Sequence, residues 1–244
     1  MANSYFNFKK FTIWQDQCAM KVTTDGCLFG AWAARMIREQ NDNPKHCLDI
    51  GTGTGLLSLM VAQQNPGLTI EAVEIDPAAA AQANNNIKNS PWQNQITVTT
   101  GDIRELAFAQ QFDVIISNPP FYENELKGKD EKRNKAHHDG SLLLAELITV
   151  AHRNLKPNGS LYLLAPYKRE AEIRTVIDEC LFKIKSEVAV RQTPKHGYFR
   201  TLLKLSLNND FKEDRDFIEI FIKDKEGEYS TPFESLLKDY YLQF

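Results

Sequence analysis

None of the four cysteines, Cys18, Cys27, Cys47 and Cys180, forms a Cys-x-x-Cys pair or has a histidine at metal-ligand spacing. That excludes a zinc ribbon and a disulfide framework, and the thiols read as ordinary reduced side chains. Long apolar runs are missing too: nothing approaches the ~18 residues of a membrane span. The start, Met1-Ala2-Asn3-Ser4-Tyr5-Phe6, lacks the basic-then-apolar layout of a secretory leader. The expectation is a cytoplasmic protein with no membrane association. Low-complexity stretches and internal repeats are absent, and 42% apolar with 25% charged residues matches an ordinary folded chain, which excludes disorder. There is no excess of positive charge. A net charge of −3 argues against unselective coating of nucleic acid, which needs many phosphate contacts, while leaving RNA open as a selective partner.

What is present is an alternation of strand-like and helix-like segments over 244 residues, the pattern of a parallel sheet covered by helices on both faces. Strands are expected near 45–50, 69–75, 95–100, 113–117 and 159–165, and helices over Leu56–Gln64, Pro77–Lys88 and Ser141–Asn154. Pro77 suits a first helical turn and Asp76 the cap before it. Lys183–Gln192 and Phe199–Leu207 are β-rich and flank the turn Thr193-Pro194-Lys195-His196-Gly197, so they read as an antiparallel pair. The fold expected is α/β and Rossmann-like: a mostly parallel, seven-stranded sheet with that hairpin at one edge. A closing hairpin separates a methyltransferase sheet from a dehydrogenase sheet. Phe217–Lys223 reads as one more short strand, Asp224–Gly227 as a turn and Thr231–Tyr241 as a last helix. One domain, 1–244, is expected, with a core at 45–207 and a C-terminal strand and helix at 208–244.

Asp49-Ile50-Gly51-Thr52-Gly53-Thr54-Gly55 follows a buried strand and opens an apolar helix, so its backbone can approach a ligand closely and aim amides at an anionic group. Leu56 occupies the position where a dinucleotide fingerprint needs its third small residue, and no lysine follows Gly55, so neither a dinucleotide nor a triphosphate loop fits. A tight turn would by itself account for two of the three glycines. Two further carboxylates end the next strands. Glu74, in Val73-Glu74-Ile75-Asp76, lies about 20 residues on, where doubly wound folds place an acid for ribose hydroxyls. Asp102, in Gly101-Asp102-Ile103, is placed to accept from an adenine amino group, or equally to cap a helix.

The most informative stretch is Asn118-Pro119-Pro120-Phe121, at the end of the apolar run Val114-Ile115-Ile116-Ser117. With the glycine loop it points to methyl transfer from S-adenosyl-L-methionine to a planar exocyclic nitrogen. The lone pair of such an amine is delocalised into its ring, so catalysis requires acceptors that draw the nitrogen toward tetrahedral geometry. The Asn118 amide oxygen and the Pro119 carbonyl are such acceptors, Pro120 stiffens the turn, and Phe121 offers a stacking face. Lys127, Lys129, Lys132, Arg133 and Lys135 crowd the following stretch, where an incoming RNA would meet them. No metal is required, and His137-His138 lacks a third ligand.

This set resembles the class I adenosylmethionine-dependent amino-methyltransferases. More narrowly, the chain is similar to the bacterial tRNA1(Val) adenine-N6-methyltransferase family. The narrower likeness is carried by Cys18-Ala19-Met20-Lys21-Val22-Thr23-Thr24-Asp25-Gly26, Gly30-Ala31-Trp32, Asn89-Ser90-Pro91-Trp92 and the tail Glu228-Tyr229-Ser230, Phe233, Leu237 and Tyr240-Tyr241-Leu242-Gln243-Phe244. The resemblance implies N6-methylation of the adenosine next to the anticodon of tRNA1(Val), with the anticodon loop as partner and no obligate protein partner. It implies that Thr23 and Asp25, in an N-terminal segment 1–44, cover the methionine end of the cofactor. By it Asp49, Gly51 and Gly53 form the central pocket, Glu74 holds the ribose, Asp102 and Ile103 hold adenine, and Asn118 to Phe121 take the target base. His137 stands where the family often carries arginine, which leaves Arg133 to meet a phosphate. Related turns also serve methylation of guanine N2 or adenine N6 in ribosomal RNA and of protein glutamine. A catalytically silent RNA-binding module is the reading from another class.

Overall fold

The computed structural model describes residues 3–18, 20–40, 43–120, 142–207 and 216–244. Among them the chain begins with a hairpin of β1 (Tyr5–Asn7) and β2 (Thr12–Trp14) and the helix α1 (Thr24–Arg38). There follow β3 (His46–Ile50), α2 (Leu56–Gln64), β4 (Thr69–Glu74), α3 (Pro77–Lys88), β5 (Ile96–Thr100) and β6 (Phe112–Ser117). The second half holds α4 (Leu144–Asn154), β7 (Leu155–Pro166), α5 (Glu170–Glu179), β8 (Lys183–Arg191), β9 (Tyr198–Ser206), β10 (Asp216–Phe221) and α6 (Thr231–Leu237).

Among the described residues the central sheet has eight strands in the order β10-β8-β9-β7-β6-β3-β4-β5. β3 to β7 pair in parallel, whereas β9 is antiparallel to both β7 and β8. The expected hairpin therefore exists, but β9 lies inside the sheet. β10 joins β8 in parallel and takes the edge, which makes eight strands where seven were expected. The core strands are apolar and buried on both faces, as helices on either side require. After β3 the chain builds β4 and β5 on one side, then returns to place β6 on the other. The carboxyl ends of β3 and β6 thus border the crevice where open α/β sheets bind ligands.

Helix boundaries follow their local chemistry. Asp76 caps α3 by accepting from the Ala78 amide at 2.8 Å, with Pro77 in the first turn, as expected. Thr23 does the same for α1, accepting from Gly26 at 3.2 Å. α1 itself was not expected as a helix. Residues 26–34 are buried all round, so no polar face marks its period. Its Gly30 lets α1 lie against α2: a Cβ there would stand 2.7 Å from Met60 Sδ and 3.3 Å from Leu57 Cδ2. Gly30→Val is expected to cost about 1–3 kcal/mol by overpacking, read as a lower midpoint in urea or thermal unfolding.

The last helix ends at Leu237, short of the expected Tyr241. There the chain turns so that the Tyr240 hydroxyl donates to Met60 O at 2.9 Å and Tyr241 bridges Phe8. Lys9 Nζ donates to the carbonyls of Lys238 and Phe244, at 2.6 and 2.5 Å, tying the N-terminal hairpin to the tail. No helix among the described residues is long and apolar enough to cross a membrane.

Candidate active site

Ile50 and Ser117 are register partners at the ends of β3 and β6, and Ser117 Oγ donates to Ile50 O at 2.8 Å. The residues that follow them, Gly51 and Asn118, therefore emerge side by side at the crevice. Asn118 is half-buried, Pro119 buried and Pro120 exposed. Phe121 and the cations Lys127, Lys129, Lys132, Arg133 and Lys135 lie outside the described residues, as does His137.

The glycine loop turns back on β4, with the Gly51 and Thr52 amides donating to Val73 O at 2.9 and 3.0 Å. Gly51 and Gly53 have φ of +72° and +56°, and a Cβ on either would meet nothing within 4 Å. These two therefore border open space in a left-handed backbone that disfavours any side chain. Gly55 faces Ile87 and Ala83 of α3 instead and serves packing.

Asp49 lies fully buried beneath the loop. Its Oδ2 accepts from Thr52 Oγ1 and Ser58 Oγ, each at 2.7 Å, while Oδ1 has no partner among the described residues. Burial pushes its carboxyl up to about 6, against the opposing hydrogen bonds of Ser58 and Thr52. A buried carboxylate oxygen without a partner is a place for a further donor or cation.

Glu74 latches the loop from β4. Its Oε2 accepts from the Gly53 amide at 2.8 Å and its Oε1 from the Asp76 amide at 3.0 Å. Each oxygen keeps a second acceptor position. Asp102 is clasped by Arg104, whose Nη2 stands 2.6 Å from Oδ2 and whose Nη1 reaches Glu146 of α4 at 3.3 Å. The guanidinium holds the Asp102 carboxyl below the usual carboxylate range. The Ile103 side chain is buried in the same apolar cluster as Leu48, Ile50 and Val73.

The start of α1 closes over this rim. A Cβ at Gly26 would stand 3.1 Å from Thr23 Oγ1, 3.8 Å from Leu56 Cδ2 and 4.0 Å from Asn118 Nδ2, so Gly26 in the first turn of α1 sits between Thr23, the start of α2 and Asn118. Asp25 accepts from Arg200 Nε at 2.6 Å. From the sequence, Arg200 near the turn after Lys183–Gln192 reads either as an RNA contact or as an ordinary hairpin end, because nothing local links residue 200 to residue 25. Sequence reasoning also passed over Met20, whose Sδ lies 3.9 Å from Asn118 Nδ2, and over Ile75, an apolar side chain 46% exposed next to Glu74. The exposed strand-end position of Ile75 was the available signal. Among the described residues no three His, Cys, Asp or Glu side chains gather as a metal site. Cys18 is buried near Glu74 and Asp76, and burial followed by these carboxylates pushes its thiol up to about 11, so it stays protonated.

The family model for the methyltransferase small domain matches residues 33–193. Among solved structures, a protein from Agrobacterium tumefaciens described as a predicted O-methyltransferase shares the fold with a TM-score of 0.67 at 16% identity, covering 88% of this chain and 96% of that one. A ribosomal protein L11 methylase from Lactobacillus delbrueckii subsp. bulgaricus gives 0.51 at 17% identity, over 73% and 76%. The fold and the glycine-bordered rim are those of a methyltransferase. A protein of Dyadobacter fermentans called tRNA1(Val) (adenine(37)-N6)-methyltransferase is 38% identical over 99% of both chains. One of the same name from Pseudoalteromonas translucida is 41% identical over 98% of this chain and 99% of its own. The chain belongs to this tRNA1(Val) (adenine(37)-N6)-methyltransferase family.

Proposed function

We propose that this protein methylates N6 of the adenosine at position 37 of tRNA1(Val), as its relatives' names describe, within a single domain whose core runs from Phe8 to Tyr241. The observation that carries the reading is the pairing of Ser117 with Ile50, which sets the acceptor amide of Asn118 beside the open space at Gly51 and Gly53.

The residues present fit S-adenosyl-L-methionine. The orphan Asp49 Oδ1 matches a cationic group, Glu74 keeps lone pairs for ribose hydroxyls, and Gly51 and Gly53 leave room for the backbone to touch the ligand. When bound, this group supplies a methyl already activated by its sulfonium. Asp102 and the Ile103 main chain take the adenine edge, with Ile75 offering an apolar face, and Thr23 and Asp25 cover the opposite end. Asn118 and the Pro119 carbonyl accept the amino protons of the target base, Pro120 holds the turn, and Phe121 stacks on the ring. Orientation and these acceptors carry the catalysis, and no nucleophilic side chain is called on. Extruding a base from an anticodon loop costs less than from a duplex, which favours that substrate. The cations at 127, 129, 132, 133 and 135 serve its phosphates.

Incubating the protein with S-adenosyl-L-methionine and unmodified tRNA1(Val), ribosomal RNA or a release-factor protein, followed by mass spectrometry of nucleosides and peptides, tests the reading. The expected product is N6-methyladenosine in the tRNA alone. Methylated guanine, methylated ribosomal adenine or methylglutamine as the main product would replace it, and cofactor binding without transfer to any of these would favour a silent RNA-binding module.

A further inference from the structure

The described residues between Trp14 and Gly26 are strung across the crevice. On the α3 side the attachment is dense. Trp14 exchanges hydrogen bonds with Asn86, its amide donating at 3.0 Å and its carbonyl accepting at 2.9 Å. The Gln17 amide donates to Gln82 Oε1 at 3.0 Å and Gln82 Nε2 donates to Asp16 at 2.7 Å, while within the segment Gln15 Oε1 accepts from the Val22 amide at 2.7 Å. At the other end the segment passes Asn118 and enters α1, beyond the reach of α3. There Asp25 meets Arg200, carried by β9 from the far half of the sheet.

The geometry of this second anchor is specific. Arg200 stands opposite Pro166 of β7 and Val190 of β8, in the interior of the sheet rim and off the hairpin tip. Its Nε donates to Asp25 Oδ2 at 2.6 Å, its Nη1 to Phe199 O at 3.3 Å, and its guanidinium lies 5.5 Å from the centre of the Phe199 ring. The Asp25 side chain is 14% exposed, so its charge is largely withdrawn from water at the helix N-terminus, and Arg200 balances it. An ammonium would supply the charge without the planar, multiply bonded hold.

We propose that Arg200 is a positioning residue for the cofactor: through Asp25 it fixes the start of α1, and with it Thr23 and Gly26, over the glycine loop and Asn118. The inference rests on the cofactor reading above and not on the RNA substrate, so its test uses no RNA. Arg200→Met is expected to weaken S-adenosyl-L-methionine binding about tenfold by calorimetry, with Arg200→Lys recovering part of the loss. Without cofactor, amides of residues 20–30 are expected to exchange hydrogen faster in Arg200→Met, while those of β3 and β6 keep wild-type protection. The double variant Asp25→Asn with Arg200→Met is expected to bind no worse than Asp25→Asn alone. Wild-type exchange and affinity in Arg200→Met, or losses that multiply in the double variant, would overturn the proposal. A slower exchange of the whole molecule is not needed for either outcome, and a general rise in exchange, β3 and β6 included, would also overturn it by making Arg200 a stability residue. If the wild-type protein binds no S-adenosyl-L-methionine, the cofactor reading itself fails, whereas the exchange difference still reports the anchor.

Discussion

Asn118→Ala is expected to lower the single-turnover methylation rate by about 10²–10³-fold, the scale of losing one preorganised polar contact to a developing charge. Cofactor affinity is expected to stay within about twofold, because Asp49, Glu74 and the glycine amides are untouched. An adenine amino group holds its lone pair in the ring, and attack requires acceptors that take its protons as the nitrogen becomes tetrahedral. In the proposed mechanism the amide of Asn118 does this, on a strand end anchored through Ser117 to Ile50 and followed by the buried Pro119. Asn118→Asp keeps acceptor oxygens and is expected to retain more turnover than the alanine variant. Rapid-quench measurement with saturating cofactor separates the step from binding, and near-normal turnover of Asn118→Ala would remove the residue from the mechanism.

Asp49 carries the second large effect, and it appears as a pH dependence. Its carboxyl is pushed from an ordinary 3.8 up to about 6 by burial. Between those values the folded state holds a proton that the unfolded state has released, so stability is expected to fall as pH rises from about 4 to about 6 and to level off above. The ionised, buried group costs on the order of 3 kcal/mol at neutral pH. A bound cation reverses that penalty. Affinity for S-adenosyl-L-methionine is therefore expected to rise up to about tenfold per pH unit below 6 and to flatten above it. Asp49→Asn, of nearly the same shape, is expected to abolish both slopes and to weaken cofactor binding at pH 7. Denaturant midpoints and calorimetric Kd values across about pH 4 to 8 check the two together, and an unchanged Kd profile in Asp49→Asn would mean that the orphan oxygen does not meet the ligand.

Much of the scaffold was legible because its elements obey local rules. α2 and α3 run over the residues that the sequence indicates, since an αL glycine precedes one and an aspartate with a following proline opens the other. The strands were visible as short apolar runs between turn residues. α1 was hidden because its stretch 26–34, buried on every side, shows no period, and its two glycines look like turn signals. β1 and β2, three residues each, are too short to leave a pattern. α5 did carry a signal, Ile173 and Ile177 buried four apart between charged residues, and it went unread. β9 became an interior strand because pairing on both its edges, with β7 and β8, satisfies a buried backbone that a sheet edge would leave open.

The site divides in the same way. Composition and spacing alone put a glycine turn, three strand-end carboxylates and an Asn-Pro-Pro turn on one rim, because side-chain chemistry and strand direction are local properties. Tertiary structure alone decided the partnerships between separate segments: Glu74 on the Gly53 amide, 21 positions away, and Asp25 on an arginine 175 positions away. Such partners depend on which distant segments packing brings within hydrogen-bond reach, and no local pattern encodes that distance.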